Sequence, residues 1–252
     1  MNQSFFIGAV GAHQQQKSLN VTSNNIANIN TQGFKAGKAR FTALMYDNLR
    51  AIEEETVEFG VGGAVWTTDT DYSQGGGMDT GRKQDYMIEG NGFFALQDLN
   101  TGEISYPRNG AFQWCSLQRE SATEVDDNGE PVMEQIFYLS DSMGRMVMDQ
   151  NKQMIELGVE GDRNAKQPVG IFDFVIYNGM DHENNTRFMN VPKNGQEIPG
   201  SGKLVQGMLE MSNADLSTEM VDVIEAQRAY SMALRMMTTS DEIETTINNL
   251  RG

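Results

Sequence analysis

The residues of this chain that could do chemistry are few: two histidines, one cysteine and a surplus of carboxylates. A Ser-His-Asp or Cys-His nucleophile would have to use His13 or His182, and no spacing brings either to a partner. His13 falls in a helical stretch and reads as a partly exposed helical histidine. Cys115 follows Trp114 in a predicted strand and reads as a buried structural thiol. Zinc would need a Cys/His spacing that is missing. Glu124, Asp126, Asn128 and Gly129 imitate the opening of a calcium loop. The twelfth position of that loop is Gln135, where a bidentate Glu is required, so a polar hairpin turn fits better. Gly75 to Gly81 is followed by no Gly-Lys-Ser/Thr and is no phosphate cradle. Carboxylate pairs of the kind that cleave glycosides remain open, but 35 acidic residues supply such pairs by chance. The expectation is therefore no catalytic residue, no cofactor and no metal.

The elements are more informative than the chemistry. Ser212 to Leu250 is the longest stretch with one pattern. Leu216, Met220, Val223, Tyr230, Leu234 and Met237 recur at helical spacing, with Gln227 as the one interruption. Past Met237 the stripe shifts by one residue and runs through Met236, Ile243, Ile247 and Leu250. No Gly or Pro interrupts the interior, and Ser212 with Asp215 resembles a capping box. Such a helix would exceed ~50 Å, too long for an ordinary compact core, so a partner helix is expected. The candidate is residues 3 to about 29, where Phe5, Ala9, Ala12, Leu19 and Ile26 form a stripe with Gln16 and Ser23 in its gaps. That helix exits through an Asn-rich run to Gly33, a natural reversal, after which Phe34 can tuck back against it.

Between the two ends the pattern changes. Phe41 to Leu49 could form a short helix, and Gly75-Gly76-Gly77 reads as a flexible joint. Residues 78 to about 205 read as β. Asp85 to Glu89, Phe93 to Leu96 and Val169 to Tyr177 are strand candidates, separated by turns such as Asn109-Gly110, Asn128-Gly129, Met143-Gly144-Arg145 and Gly158 to Gly161. The regular spacing suggests a small antiparallel barrel or sandwich. His182 to Gly202 reads as a surface loop.

Composition sets limits on partners. The 252-residue chain carries a net charge of −16, from 19 basic and 35 acidic residues, which argues against nucleic acid or an anionic membrane. No apolar run approaches the ~20 residues of a bilayer span. Phe5 to Ala12 is only weakly apolar, no Lys or Arg precedes it and three glutamines follow, so it does not read as a cleavable signal peptide. Hydrophobic content of 38% predicts a limited core, and 17 methionines suit adaptable packing.

The run Asn24-Asn25-Ile26-Ala27-Asn28-Ile29-Asn30-Thr31-Gln32-Gly33-Phe34-Lys35 resembles the N-terminal signature of the bacterial flagellar axial family, the rod and hook proteins. Asn24, Asn25, Ala27, Asn28, Gly33, Phe34 and Lys35 hold its positions. Toward the C-terminus, Gly207, Glu210, Ser212, Asn213, Glu219, Met220, Ile224, Gln227, Arg228, Ala229 and Tyr230 fit the family's terminal helix. The central YMIEGNGFFAL and YPRNGAFQ resemble the rod subfamily's β domain. Both the distal and the proximal rod proteins fit.

The resemblance implies an α+β fold: long N- and C-terminal helices paired as a coiled-coil-like arm, with a central mainly antiparallel β domain. The expected division is a discontinuous arm at 1–36 and 206–252, a transition at 37–77 and a β domain at 78–205. It further implies a structural subunit of the basal-body rod that packs against itself and other rod or hook subunits. Export would run through the flagellar export apparatus, with no membrane insertion. The expected packing residues are Phe5, Ala9, Leu19, Ile26, Leu216, Met220, Val223, Tyr230, Leu234, Met237, Ile247 and Leu250. Two other classes stay open on the residues alone: a secreted cell-wall hydrolase, and a coiled-coil adaptor with a β binding head.

Overall fold

Both termini fold as helices, α1 (Gln3–Ala27) and α2 (Leu216–Arg251). The computed structural model describes residues 3–43, 46–50, 56–60, 63–125, 131–157, 165–177, 179–183 and 186–251. The chain divides into two units. The first contains α1, residues 36–71 and α2; the second contains residues 30–35 and 72–213.

The start of α2 is set by Asp215, not by Ser212. The Asp215 carboxylate accepts hydrogen bonds from the backbone N–H of Ser217 and Thr218 and from the Thr218 hydroxyl at 2.8 Å. These bonds favour the ionised form and hold its pKa below the usual carboxylate value. Within α1, Gly8 and Gly11 each weaken the helix by about 1 kcal/mol relative to Ala. Their use is in packing, described below.

Between the helices in sequence, the first unit has four strands: β1 (Gly37–Ala43), β2 (Tyr46–Arg50), β3 (Thr56–Gly60) and β4 (Gly63–Thr70). β1 pairs with β4 and β2 with β3, both antiparallel. The short helix expected from Phe41 to Leu49 is therefore replaced by strands, with residues 44–45 outside the described set. Phe41 to Ala43 pair with Val65 to Gly63 of β4, and Tyr46 to Leu49 pair with Gly60 to Val57 of β3, so strand partners override local helix propensity. Ion pairs Lys38–Asp71, at 2.8 Å, and Arg40–Asp69 cross the ends of this ladder. Both are well exposed at the basic residue and contribute little.

The second unit is antiparallel β throughout the described pairings. Its strands are β5 (Gly77–Asp79), β6 (Tyr86–Glu89), β7 (Leu96–Gln97), β8 (Ile104–Pro107), β9 (Gln113–Val125), β10 (Pro131–Ser140), β11 (Met146–Val147), β12 (Glu156–Leu157), β13 (Phe172–Phe174), β14 (Asp181–Glu183), β15 (Arg187–Met189), β16 (Glu197–Pro199), β17 (Lys203–Gln206) and β18 (Met208–Glu210). The main sheet has eight strands in the order β12-β10-β11-β7-β8-β15-β14, with β9 paired to β10. Three short ladders, β13–β16, β17–β6 and β18–β5, complete it. His182 to Gly202, expected as a loop, instead contains parts of β14, β15 and β16. The Asn128-Gly129 and Gly158 to Gly161 turns lie outside the described residues. Cys115 sits in β9 opposite Tyr138 and is half-buried, not buried.

The apolar run Phe93-Phe94-Ala95-Leu96 reads as continuous because both of its faces are covered. Phe93 and Ala95 belong to one core with Tyr106, Phe174 and Phe188. Phe94 and Leu96 belong to another with Ile88, Phe112, Leu139 and Val147. Extended chain sends alternate side chains to opposite faces, so one segment feeds two cores. The Tyr177 hydroxyl, bonded to Asp173 at 2.5 Å, has its pKa pushed up to about 12 by burial and by that carboxylate.

Candidate assembly site

The helices of the first unit run antiparallel: Ser4 meets Ser240 at 3.0 Å between hydroxyls, while Asn25 donates to Glu219 at 2.9 Å. Between those ends, a Cβ on Gly8 would lie 2.9 Å from Met237 Cγ and 3.2 Å from the Ala233 carbonyl. One on Gly11 would meet the Ala233 Cβ at 3.8 Å. Small residues thus let the two backbones approach closely, which explains glycine inside α1. The contacting positions on α2, Glu219, Val223, Ala226, Tyr230, Ala233, Met237 and Ser240, alternate by four and three, a heptad seam that is buried or half-buried. On α1 the matching series is Ser4, Gly8, Gly11, Gln15, Ser18, Thr22 and Asn25.

On α1 this seam is small and polar where an apolar one was expected. On α1 it runs one residue before the stripe of Phe5, Ala9, Leu19 and Ile26. Phe5 is exposed, and Ala9, Leu19 and Ile26 are half-buried. On α2, Val223, Tyr230 and Met237 face α1, whereas Leu216, Met220, Leu234, Ile247 and Leu250 are exposed. Reading apolar residues alone found three of the seven α2 seam positions and missed Glu219, Ala226, Ala233 and Ser240. Their seven-residue recurrence was the available signal.

Asn25 is the pivot of the N-terminal motif. Its amide donates to the Gly37 carbonyl at 2.8 Å and to Glu219, and its oxygen accepts from Gly37 N–H at 2.9 Å. One side chain thereby pins the start of β1 to the start of α2. Asn28 closes the end of α1 by donating to the Asn24 carbonyl at 2.9 Å and to the Asn24 side chain. Ala27 is the exposed last residue of α1. Glu219 is 9% exposed, and burial raises its pKa against the lowering hydrogen bond from Asn25. A cavity of about 510 Å³ opens beside this pair, lined by Gln15, Thr22, Lys38, Asp222 and Ala226 among others.

In the second unit the remaining motif residues converge on one buried carboxylate. Gly33 has φ +67°, and a Cβ there would lie 2.4 Å from the Asn109 nitrogen, so only glycine fits. Its N–H donates to the Glu210 carbonyl at 2.8 Å. Phe34 belongs to this unit and is 2% exposed. Lys35 Nζ donates to Glu210 Oε1 at 2.6 Å and to the Ser73 carbonyl at 2.7 Å. Arg108 donates to Glu210 Oε2 at 3.0 Å and to the carbonyls of Ile88 and Gly90. The Gly75 N–H adds a third bond to the carboxylate, to Glu210 Oε1 at 3.0 Å. Gly75 is therefore pinned, which removes the flexible joint expected at Gly75 to Gly77. The side chains of Lys35, Arg108 and Glu210 are at most 4% exposed. Each of the three sequence motifs contributes one charge to this cluster.

The arrangement serves cohesion, and it presents no nucleophile with a base. Among the described residues, no group of three His, Cys, Asp or Glu is placed to hold a metal. No described helix is long and apolar enough to cross a membrane.

Comparison with known proteins agrees with these features. Residues 7–35 match a family described as flagella basal body rod protein, and residues 205–250 match flagellar basal body rod FlgEFG protein C-terminal. The flagellar basal-body rod protein FlgG of Buchnera aphidicola subsp. Schizaphis graminum is 30% identical over 263 residues, covering 96% of this chain and 97% of its own. The protein of the same name from Bacillus subtilis is 29% identical, with both chains covered in full. The flagellar hook-basal body complex protein FlhP of Bacillus subtilis is 25% identical, again over both full lengths.

Proposed function

The chain belongs to the flagellar basal-body rod protein family, which is structural and not enzymatic, and from that premise we propose how its parts serve assembly. It is a structural subunit of the basal-body rod and assembles with other flagellar subunits. In our reading the terminal helices are the assembling arm and the β body is carried by it. Heterologous contacts between such arms repeat without closing and build a tube. Delivery through the flagellar export apparatus is part of the same proposal, as is the absence of a nucleic-acid partner, which the charge of −16 supports.

The observation that carries this reading is the surface of α2. Leu216, Met220, Val221, Ile224, Met232, Leu234, Met236, Ile243, Ile247 and Leu250 are 40 to 83% exposed. Contiguous exposed apolar side chains on this scale mark a protein contact. The test is Leu234→Asp, expressed in cells lacking the native chain, with basal bodies isolated and the subunit quantified. Incorporation is expected to fall at least tenfold, with the sheet signal of the monomer unchanged. Normal incorporation would overturn the proposed surface.

A further inference from the structure

The β unit is closed by its last residues. Its eight-stranded sheet is complete in sequence by Met189, the end of β15. β5 and β6 precede that sheet, yet their partners come after it. Among the described residues β6 pairs only with β17, and β5 only with β18. β6 is no dispensable edge: Tyr86 and Ile88 are 1% and 0% exposed and share a core with Phe94, Phe112, Leu139 and Val147. The backbone bonds follow the same course. Gly207 N–H donates to the Asp85 carbonyl at 2.8 Å, Thr80 N–H to the Gly207 carbonyl at 2.9 Å, and Met211 N–H to the Gly76 carbonyl at 2.8 Å. Leu209, in β18, is buried. The charges of the enclosed cluster are distributed along the chain in the same order. Its cations, Lys35 and Arg108, come early, and its carboxylate, Glu210, comes late.

We propose that residues 203–213 are a closing segment that gates the folding of the β unit. A chain supplied from its N-terminus, by a ribosome or through a channel, then stays unfolded through residue 202 and folds once β17, β18 and Glu210 arrive. Sequence order alone favours the opposite outcome, because residues 96–189 are continuous and hold every strand of the main sheet. Two features oppose that early folding. Without β17 and β18, the backbone groups of β5 and β6 lack their ladder partners while Tyr86 and Ile88 must be enclosed. Without Glu210, enclosing Arg108 buries a guanidinium without its carboxylate, and Lys35 lacks the acceptor that it meets at 2.6 Å. A buried cation therefore disfavours the incomplete fold and is matched only in the complete one. Pairings that span more than a hundred residues form late in any case, since the loop must close before they contribute. The use of such a gate rests on the proposed delivery through the export apparatus: a partly delivered chain would not fold before its β unit is whole. The order of folding stands independently of that use.

The test follows the native chain during synthesis. Ribosomes are stalled so that residue 202 or residue 213 has just cleared the exit tunnel, and the nascent chains are treated with a protease. The half-life of the segment 86–189 is read from the fragments, since cleavage reports the open population. It is expected to be at least tenfold longer at residue 213 than at residue 202. Protection already present at residue 202, or protection that appears only beyond residue 213, would overturn the gate. A second arm isolates the carboxylate. Glu210→Gln keeps the shape of the side chain and an acceptor for the Gly75 N–H but removes the charge that Arg108 and Lys35 meet. Stalled at residue 213, this variant is expected to be cleaved at least tenfold faster than the native chain at the same point. Equal resistance would overturn the part assigned to Glu210. Neither arm uses the export apparatus or the rod, so a negative result falls on the gate and leaves the proposed function standing.

Discussion

The β unit and the helical unit of this chain bury their side chains to very different extents. In the β unit, Ile88, Phe94, Phe112, Leu139, Val147 and Phe188 are fully buried, and even its charges at Lys35, Arg108 and Glu210 are enclosed and mutually bonded. In the helical unit, α1 presents mostly small and polar residues to α2, such as Ser4, Gly8, Gly11 and Asn25, while ten large apolar residues of α2 stay in solvent. The contrast follows from what each seam must do. A core that supports itself needs apolar volume at close packing. A helical pair that must also attach to neighbours can use small residues for its internal contact and keep its large ones for the external one.

Truncation tests the contrast most severely. Removing residues 1–30 deletes α1 but leaves Phe34 and Lys35, so the β unit is expected to keep its sheet signal in circular dichroism. Removing residues 1–35 takes both, leaving a Phe34-sized void and a Glu210 without one of its two cations, and is expected to lose cooperative unfolding of the β unit. Equal behaviour of the two truncations would show that the buried cluster is dispensable. Glu210→Ala isolates the electrostatic part. It leaves two enclosed cations without their carboxylate, a loss of about 3–5 kcal/mol for a buried network broken from one side. The denaturant midpoint of the β unit reads this directly, and a change below about 1 kcal/mol would remove the cluster from its role.

Much of this division was legible in the sequence. Both helices follow from three-four spacing, and α2 from the absence of Gly and Pro over its length. The alternation around Phe93 and Phe94 was visible as strand but not as a strand shared by two cores, because one sequence segment does not reveal what covers each face. The helix expected over Phe41 to Leu49 failed because strands further on decide it, β4 for Phe41 to Ala43 and β3 for Tyr46 to Leu49. The seam of α1 was misplaced by one residue for a physical reason: hydrophobic patterning locates apolar surface, and here that surface is not the one that pairs. Polar seam residues such as Asn25 and Ser4 carry no hydrophobic signal. The meeting of Lys35, Arg108 and Glu210 joins positions 35, 108 and 210, a separation that no local pattern spans.

The smaller effects belong to the helical unit. Asn25→Ala removes three hydrogen bonds and leaves Glu219 enclosed without its donor, a loss of about 1–3 kcal/mol for an unsatisfied buried group. Slowed hydrogen exchange in α1 and the first turns of α2 should disappear, with the β unit unaffected. Glu219→Gln is expected to act in the opposite sense above the ordinary glutamate range. Burial raises the Glu219 pKa in the folded state, so the folded chain holds its proton more tightly than the unfolded one. Its contribution is then fully present below the unfolded value and is lost as pH rises through the folded one. A neutral glutamine keeps an amide oxygen for Asn25 and has no proton to lose. The helical pair of the variant should therefore hold its protection across that pH window, where the native pair weakens. A variant as pH-dependent as the native chain would assign the effect to Asp222 or Asp215, whose charges also act on Glu219.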